Sequence, residues 1–551
     1  MTKLLLPALA TCLVSLPAFS AAPSIAAQGV KNAASYADPQ MPNGSIAQGS
    51  IFNVFGSNLG PTPIAYASSL PLSTTLSGTT VTVTVGGTAV QCYMVYTSAG
   101  QIAAILPSTT PLGTGTISVS YNSTPSPTAP ITVVKSSFGI FTINQQGTGQ
   151  AVVQDGNYKF NSTSFAFQPG ETVVIWGTGL GPIVGSDATT PPTGNLPGIT
   201  VTVTVGGLNA PVTYSGRSGY SGDDQVAFTI PSSVSGCFVP VVISAGATGA
   251  TPVYSNYTSI AVGTTTTCTS TTYPPGVLSI INSGGPIRVG SVNLGRSTSV
   301  TSFLGQSITS TSDVGDASFF RFASAGYFTG SSYDLQVGSC YVEIVSGAAG
   351  GTIQETGLDA GTAINVSGPG GSKQIPGLAT QVGSYDATLG GGFALPGQTA
   401  PPLYLSPGTY TLNNGSGGKD VGPFNITITV PATFTWTNMS SITSVPRSQP
   451  LTVTWTGGDP TQPVIISGSS GTADNAFAAF VCEAPNPPGT FTVPVQILQQ
   501  LPPSATTSGV ALSSLQLSTA NAVIASTLPS GLDFFTYGDS QAGILTGIPY
   551  Q

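Results

Sequence analysis

The sequence predicts an all-β chain, with tandem antiparallel sandwiches followed by two further β-rich domains. Three observations carry this. Short runs such as Val81-Thr82-Val83-Thr84-Val85 alternate apolar with hydroxylated residues, giving one apolar and one polar face at the strand period of two. Gly and Pro, 70 and 45 of the 551 residues, interrupt these runs as turns do. Helical periodicity is almost absent. Hydrophobic residues make up 40% of the chain and charged residues 5%. Cores can therefore form, and disorder, which needs low hydrophobicity and high net charge, is disfavoured.

At the amino end, Met1-Thr2-Lys3 is followed by apolar residues from Leu4 to Leu16 and then Pro17-Ala18-Phe19-Ser20-Ala21. A positive start, a short apolar core and a small-residue exit predict a signal peptide over 1–20, cut after Ser20. The apolar run is shorter than the roughly 20 residues of a membrane-spanning helix. No later stretch is long enough either. The expected location is secreted, extracellular or at the cell surface.

Residues 28–135 and 136–263 read as two related units. Val81 to Gly87 recurs identically at Val201 to Gly207, and Gly49 to Pro61 parallels Gly170 to Pro182. A repeat of roughly 110–120 residues is domain-sized. Gly86-Gly87 supplies the permissive dihedrals of a tight hairpin. Thr116 to Tyr121 and Val239 to Ile243 continue the strand pattern.

These motifs support a resemblance. A strand, then Gly56-Ser57-Asn58-Leu59-Gly60-Pro61, then Val81 to Gly87, then an apolar segment closed by Pro107 or Pro231, resembles the IPT/TIG immunoglobulin-like module. Asn32-Ala33-Ala34-Ser35-Tyr36, Ile51 to Leu59 and Trp176-Gly177-Thr178-Gly179-Leu180-Gly181-Pro182 are similar to a domain in exported proteins of soil acidobacteria of the Solibacter type. The resemblance covers about residues 28–263. It implies immunoglobulin-like sandwiches in an exported protein, and no established activity.

Six Cys are present, and Cys12 falls in the signal. Export implies an oxidising compartment. Cys237 and Cys268 flank the last strands of the second unit, and the resemblance implies that they pair. Such a bridge closes a loop of about 30 residues, worth on the order of 3 kcal/mol. Cys340 and Cys482 both sit on strand-like runs, and their pairing would tie the third unit to the fourth. Cys92 is left over, and a buried inert thiol is favoured over a reactive one. No C-x-x-C spacing exists, so metal binding by cysteine is not expected.

Residues 264–276 read as a linker. A β-rich domain is expected over 277–431, with Leu403 to Leu412 as a loop or turn between strands. An immunoglobulin-like sandwich is expected over 432–551, where Leu451-Thr452-Val453-Thr454-Trp455 alternates and ends at the turn Gly457-Gly458-Asp459-Pro460.

The chain contains no histidine. That excludes Ser-His-Asp and Cys-His nucleophile systems within it, and His-ligated metal or haem. With 11 Lys+Arg against 19 Asp+Glu, a net charge of −8, there is no basic stripe for nucleic acid. Asp223-Asp224 and Asp313-Val314-Gly315-Asp316 could each offer two oxygens to Ca²⁺. A polar turn is the preferred reading of both, and the D-x-D-x-D-G loop is missing. Gly415 to Asp420 lacks the Ser/Thr and the following helix of a phosphate loop. Trp436, Trp455, Tyr327 and Phe328 are the candidates for a carbohydrate platform, although aromatics in sandwiches are usually core.

The expected function is non-enzymatic: binding, adhesion or structure outside the cell. Its expected partner is extracellular polysaccharide or a cell-surface protein, with no cofactor. The alternative is a polysaccharide hydrolase working through an Asp/Glu pair. A third reading is assembly through exposed sheet edges.

Overall fold

Two face-to-face sheets form the first unit. In a computed structural model of the chain, which describes residues 21–303, 306–325, 333–345, 355–393, 399–474 and 476–551, one sheet runs Ser24–Asn32, Ile51–Ser57, Gln101–Ile105, Tyr93–Thr97. The other runs Ile46–Ala47, Ala129–Val134, Gly113–Tyr121, Thr79–Val85, with Thr88–Gln91 on its edge. Ile46–Ala47 pairs parallel to Val133 and Val134. In immunoglobulin lettering the sheets are ABED and A′GFCC′. The signal expected over 1–20, and the residues Tyr327 and Phe328, lie outside the described residues.

The second unit repeats this plan. Gly139–Ile140, Thr172–Thr178, Asp224–Thr229 and Val212–Arg217 form its ABED sheet; Thr258–Val262, Gly236–Ala247, Ile199–Val205 and Leu208–Ala210 form the opposing one. The twin heptapeptides occupy equivalent strands. Val83 pairs with Ile117, and Val203 with Ile243. Both hairpins turn on Gly-Gly at positive φ, 56° and 82° in the first unit and 57° and 82° in the second. A side chain at either position would be strained, which is why the pair recurs. Val81 and Val83 are fully buried, as are Val205 and Ile243, so each alternating run delivers its valines to the core.

Cys92 lies in the first core, fully buried and free. Burial pushes its thiol well above the usual range, so the nucleophilic thiolate is scarce. Native protein treated with iodoacetamide should leave Cys92 unmodified, while denatured protein should be labelled completely. Labelling of the native form at the rate of a free thiol would refute this.

The C-terminal half is built on one nine-stranded sheet. Its order is Cys340–Val345, Phe477–Ala484, Val464–Gly471, Ser513–Ile524, Phe534–Thr546, Ile287–Phe303, Gln306–Phe322 and Glu355–Gly357, with Ser384–Gly391 also paired to Gln306–Phe322. Ile287–Phe303 and Phe534–Thr546 pair in parallel, from Val289↔Phe534 to Thr301↔Thr546. The expected division at 431/432 therefore matches only the covering layer. A four-stranded sheet (Gly371–Pro376, Ala363–Gly368, Gly408–Asn413, Asn425–Val430) covers one end, and a three-stranded sheet (Thr435–Trp436, Leu451–Thr456, Thr490–Val493) covers the other. The base sheet runs beneath both, because its strands are long enough to serve two cores.

Two segments depart from expectation. Gly408–Asn413 is a strand, not part of a loop. Tyr410 and Leu412 alternate inward at 0% exposure and pair with Asn425–Val430; Ser406-Pro407-Gly408 had masked that alternation. Pro275–Ser283 is a helix that starts within the expected linker. Pro at its first position suits an N-terminus, and Gly284 ends it at φ 64°. Its Val277, Leu278 and Ile281 pack with Phe238, Tyr273 and Phe534.

The units fold back on one another. Met41, Val242 and Tyr257 of the N-terminal half join the core around Trp436, Trp455 and Phe480. Asp334 accepts from Cys237 N at 2.7 Å and Phe238 N at 3.0 Å, and from Ser270 Oγ at 2.8 Å.

Between the two C-terminal cores lies a polar belt. Asp539, Gln541 and Thr519 are all at most 4% exposed. Gln541 accepts from Phe434 N at 2.8 Å and so fixes the chain where it crosses between covering sheets. Asp539 accepts from Asn521 Nδ2 at 2.8 Å, but its Oδ2 has no partner. Burial raises its carboxyl to about 6, above the unfolded value of about 3.9. The folded state then holds the proton more tightly than the unfolded one. Its stability is full below about pH 4 and falls as pH rises to about 6. Asp539→Asn should abolish that decline and raise stability at pH 7 by on the order of 2 kcal/mol. Chemical denaturation at pH 4 and pH 7 checks this, and an equal effect at both values would contradict it.

Candidate ligand cleft between the N-terminal sandwiches

The motif Asn32-Ala33-Ala34-Ser35-Tyr36 builds a turn that joins the two sandwiches. Asn32 Oδ1 accepts from Ala34 N at 2.8 Å and Ser35 N at 3.1 Å; its Nδ2 donates to Ser137 O at 3.3 Å and Thr178 O at 3.2 Å. Tyr36 closes the turn at φ 52°, an uncommon conformation for a residue with a side chain. The turn thereby places the Tyr36 ring over the outer face of the first ABED sheet, 6.2 Å from Phe55.

The outer faces of the two ABED sheets meet there in a cleft of about 610 Å³. Tyr36, Tyr96 and Asn53 line one side, and Phe141, Phe160 and Trp176 the other. Strand alternation explains the placement. Phe52 and Val54 point to the first core, leaving Asn53 outward; Val173 and Ile175 point to the second, leaving Trp176 outward. Tyr96 accepts from Gln101 Nε2 at 2.6 Å and donates to Asn53 Oδ1 at 3.4 Å. Tyr66, 64% exposed, extends the ring series 5.9 Å beyond Tyr96. Burial raises the Tyr96 phenol to about 12, so it stays neutral. Trp176 Nε1 is buried without a hydrogen-bond partner. A buried N–H donor left unmade costs about 1–3 kcal/mol. Among the described residues, none of those lining the cleft is Asp, Glu, Lys or Arg.

A buried ionic network fixes the cleft's geometry. Arg217 pairs with Asp224, lies 3.9 Å from Asp187, and donates to Gly49 O at 3.0 Å and Gly181 O at 2.9 Å. Asp224 also accepts from Gly179 N and Leu180 N, both at 2.8 Å, which is what the Trp176 to Pro182 motif builds. Asp187 accepts from Ser108 N at 2.6 Å and Ser108 Oγ at 2.8 Å. One cation thus ties both sandwiches together.

Of the aromatics expected to form a platform, the two among the described residues are buried instead. Trp436 and Trp455 are 6% and 3% exposed and face each other across paired strands. Their indole N–H groups are satisfied by Asn438 and Asn486 at 2.8 and 3.0 Å. Trp455 alternates in phase with Leu451 and Val453, and that phase marks it as core. Three of the four acids weighed as Ca²⁺ ligands, Asp223, Asp224 and Asp313, are held by the protein's own groups. Asp224 belongs to the network above, Asp223 accepts from Ser218 Oγ at 2.7 Å, and Asp313 takes Arg296 at 2.7 and 2.9 Å. Among the described residues no group of three or more His, Cys, Asp or Glu is placed to hold a metal. Both cysteine pairs are bridged, Cys237 to Cys268 and Cys340 to Cys482. One carboxylate pair does stand out. Asp316 and exposed Asp386 are directly opposed on neighbouring strands, and burial followed by the Asp386 charge raises the Asp316 carboxyl.

No family model and no curated protein matches the chain. Among solved structures it is similar to domains A168-A170 from titin, at 9% identity over 73% of this chain and 96% of that one, with a TM-score of 0.13. It is also similar to domains 5-6 of the S-layer protein SbsC, at 14% identity over 44% and 98%, with a TM-score of 0.15. Domains 4-9 of SbsC give 12% identity over 94% and 66%, with a TM-score of 0.12. Scores this low carry no argument. The class of the chain, all-β with tandem immunoglobulin-like sandwiches, rests on its own strand order. Among the described residues no helix is long and apolar enough to cross a membrane.

Proposed function

We propose that the chain works outside the cell as a non-catalytic binding protein, and that the cleft between its first two sandwiches holds a neutral polysaccharide. The observation that carries this is the cleft lining. Rings flank it on both sides, uncharged amides and hydroxyls lie among them, and a buried indole N–H awaits an acceptor. Sugar rings present apolar C–H faces to aromatic rings and hydroxyl oxygens to such donors. The bridged cysteines support an oxidising, extracellular setting.

Purified protein should be retained on at least one neutral polysaccharide of a soil and cell-wall panel, with no sugar released. Trp176→Ala and Tyr36→Ala should each weaken retention tenfold or more, with melting unchanged by more than a few degrees. Retention insensitive to both changes would remove the cleft from the proposal. The runner-up, hydrolysis, is favoured by the opposed Asp316 and Asp386. Released sugar that disappears in Asp386→Asn would establish it instead.

A further inference from the structure

A second cavity lies where three parts of the chain meet. It measures about 250 Å³ and is lined by Pro42 and Asn43 of the first unit, Tyr254 and its neighbours of the second, and Arg447, Gln499 and Gln500 of the last. Ile344 completes an apolar wall with Pro252 and Val253. The volume falls below the roughly 300 Å³ where drug-sized pockets begin, so it admits a group of about one sugar ring.

Arg447 is half-buried, and its charge is uncompensated. Arg217, Arg288 and Arg296 each face an aspartate within 3.9 Å. Every Asp and Glu of the chain lies among the described residues, and among these none lies within ion-pair distance of Arg447. Its Nη2 donates to Gln499 O at 3.1 Å, while its Nε is buried with no partner. Burial alone pulls its guanidinium below the usual value. An unpaired charge taken out of water is costly, and a carboxylate offered in fork geometry repays that cost. The second observation is independent. Asn43, 6% exposed, lines the same cavity, and its Oδ1 is buried without a hydrogen-bond donor. A cation and an open amide acceptor in one small cavity match a ligand carrying both a carboxylate and a hydroxyl.

We propose that this junction cavity binds a small hydroxylated carboxylate of sugar-acid size, held by Arg447 with Asn43 as acceptor for a ligand hydroxyl. The site is separate from the aromatic cleft and does not depend on it.

Calorimetric titration of the full chain with D-galacturonate and with D-galactose tests this, because the two differ chiefly in the carboxylate. Galacturonate should bind at least tenfold more tightly than galactose. Arg447→Gln should weaken galacturonate at least tenfold, and Arg447→Lys, which keeps the charge, should restore part of the loss. Arg447→Lys also guards against a misfolded Arg447→Gln chain. Trp176→Ala should leave this binding unchanged, so failure here and failure of the cleft proposal can be told apart. Polygalacturonate displaced by the monomer would identify a chain-borne uronate; binding of the monomer alone would identify a free acid. Equal affinity for galactose, no binding of galacturonate, or full binding by Arg447→Gln would overturn the proposal.

Discussion

Replacing Arg217 by Met will destabilise the chain by about 3–5 kcal/mol, the range for breaking a buried ion pair on one side only. The reason is what remains. Asp224 and Asp187 are at most 3% exposed, and the cation between them would be gone. The carbonyls of Gly49 and Gly181 would lose their donor as well. Those two carbonyls belong to different sandwiches, so the loss should also loosen the junction. Denaturant unfolding gives the magnitude, and small-angle scattering of the folded variant reports the junction. Adding Asp224→Asn should recover part of the loss, since it removes one stranded charge. A change below 1 kcal/mol would show that the network is not what holds the sandwiches together.

The second large effect concerns the Cys340–Cys482 bridge. These residues are directly opposed across neighbouring strands and lie 142 apart in sequence. In the chain-entropy account a loop of about 100 residues is worth roughly 4.7 kcal/mol and one of 15 residues about 3. The Cys340→Ser, Cys482→Ser pair should therefore lower stability by about 4–5 kcal/mol. The matching change at Cys237–Cys268, separated by 31 residues, should cost about 1 kcal/mol less. Among the described residues, Cys340–Val345 is an edge strand whose one ladder runs to Phe477–Ala484, so its amides should lose exchange protection first. Guanidinium unfolding of the two double variants decides the order; a larger loss at Cys237–Cys268 would reject the argument.

The repeated sandwiches were legible because their signals are local. Alternating Val and Thr define a strand, Gly-Gly defines its turn, and an identical copy fixes equivalence. The Asn32 to Tyr36 and Trp176 to Pro182 motifs were visible too, but their work was not. Asn32 and Asp224 act on backbone groups that only the folded chain brings near. Trp176 and Asn53 carried a readable cue, since Trp176 lies out of phase with Val173 and Ile175, and Asn53 with Phe52 and Val54. Phe141 and Phe160 carry no such cue, because the strands near them are only two residues long or absent. The shared nine-stranded sheet was illegible for a different reason. Val289 meets Phe534 across 245 positions of sequence, and Ser/Thr-rich alternation looks alike whichever neighbour it finds. Aromatic residue type alone misled the reading of Trp436 and Trp455; their phase pointed inward.

The parallel pairing of Ile287–Phe303 with Phe534–Thr546 bears on how the protein is made. Contacts between positions far apart in a chain form slowly and late. The two leading sandwiches can each close as soon as their own residues are available. The trailing half must wait, because the seam at its centre joins Val289 to Phe534, 245 positions further along. Until that strand arrives, a long backbone edge stands open to wrong partners. Truncation just before Phe534 should therefore leave the front of the molecule native and the rear prone to aggregation.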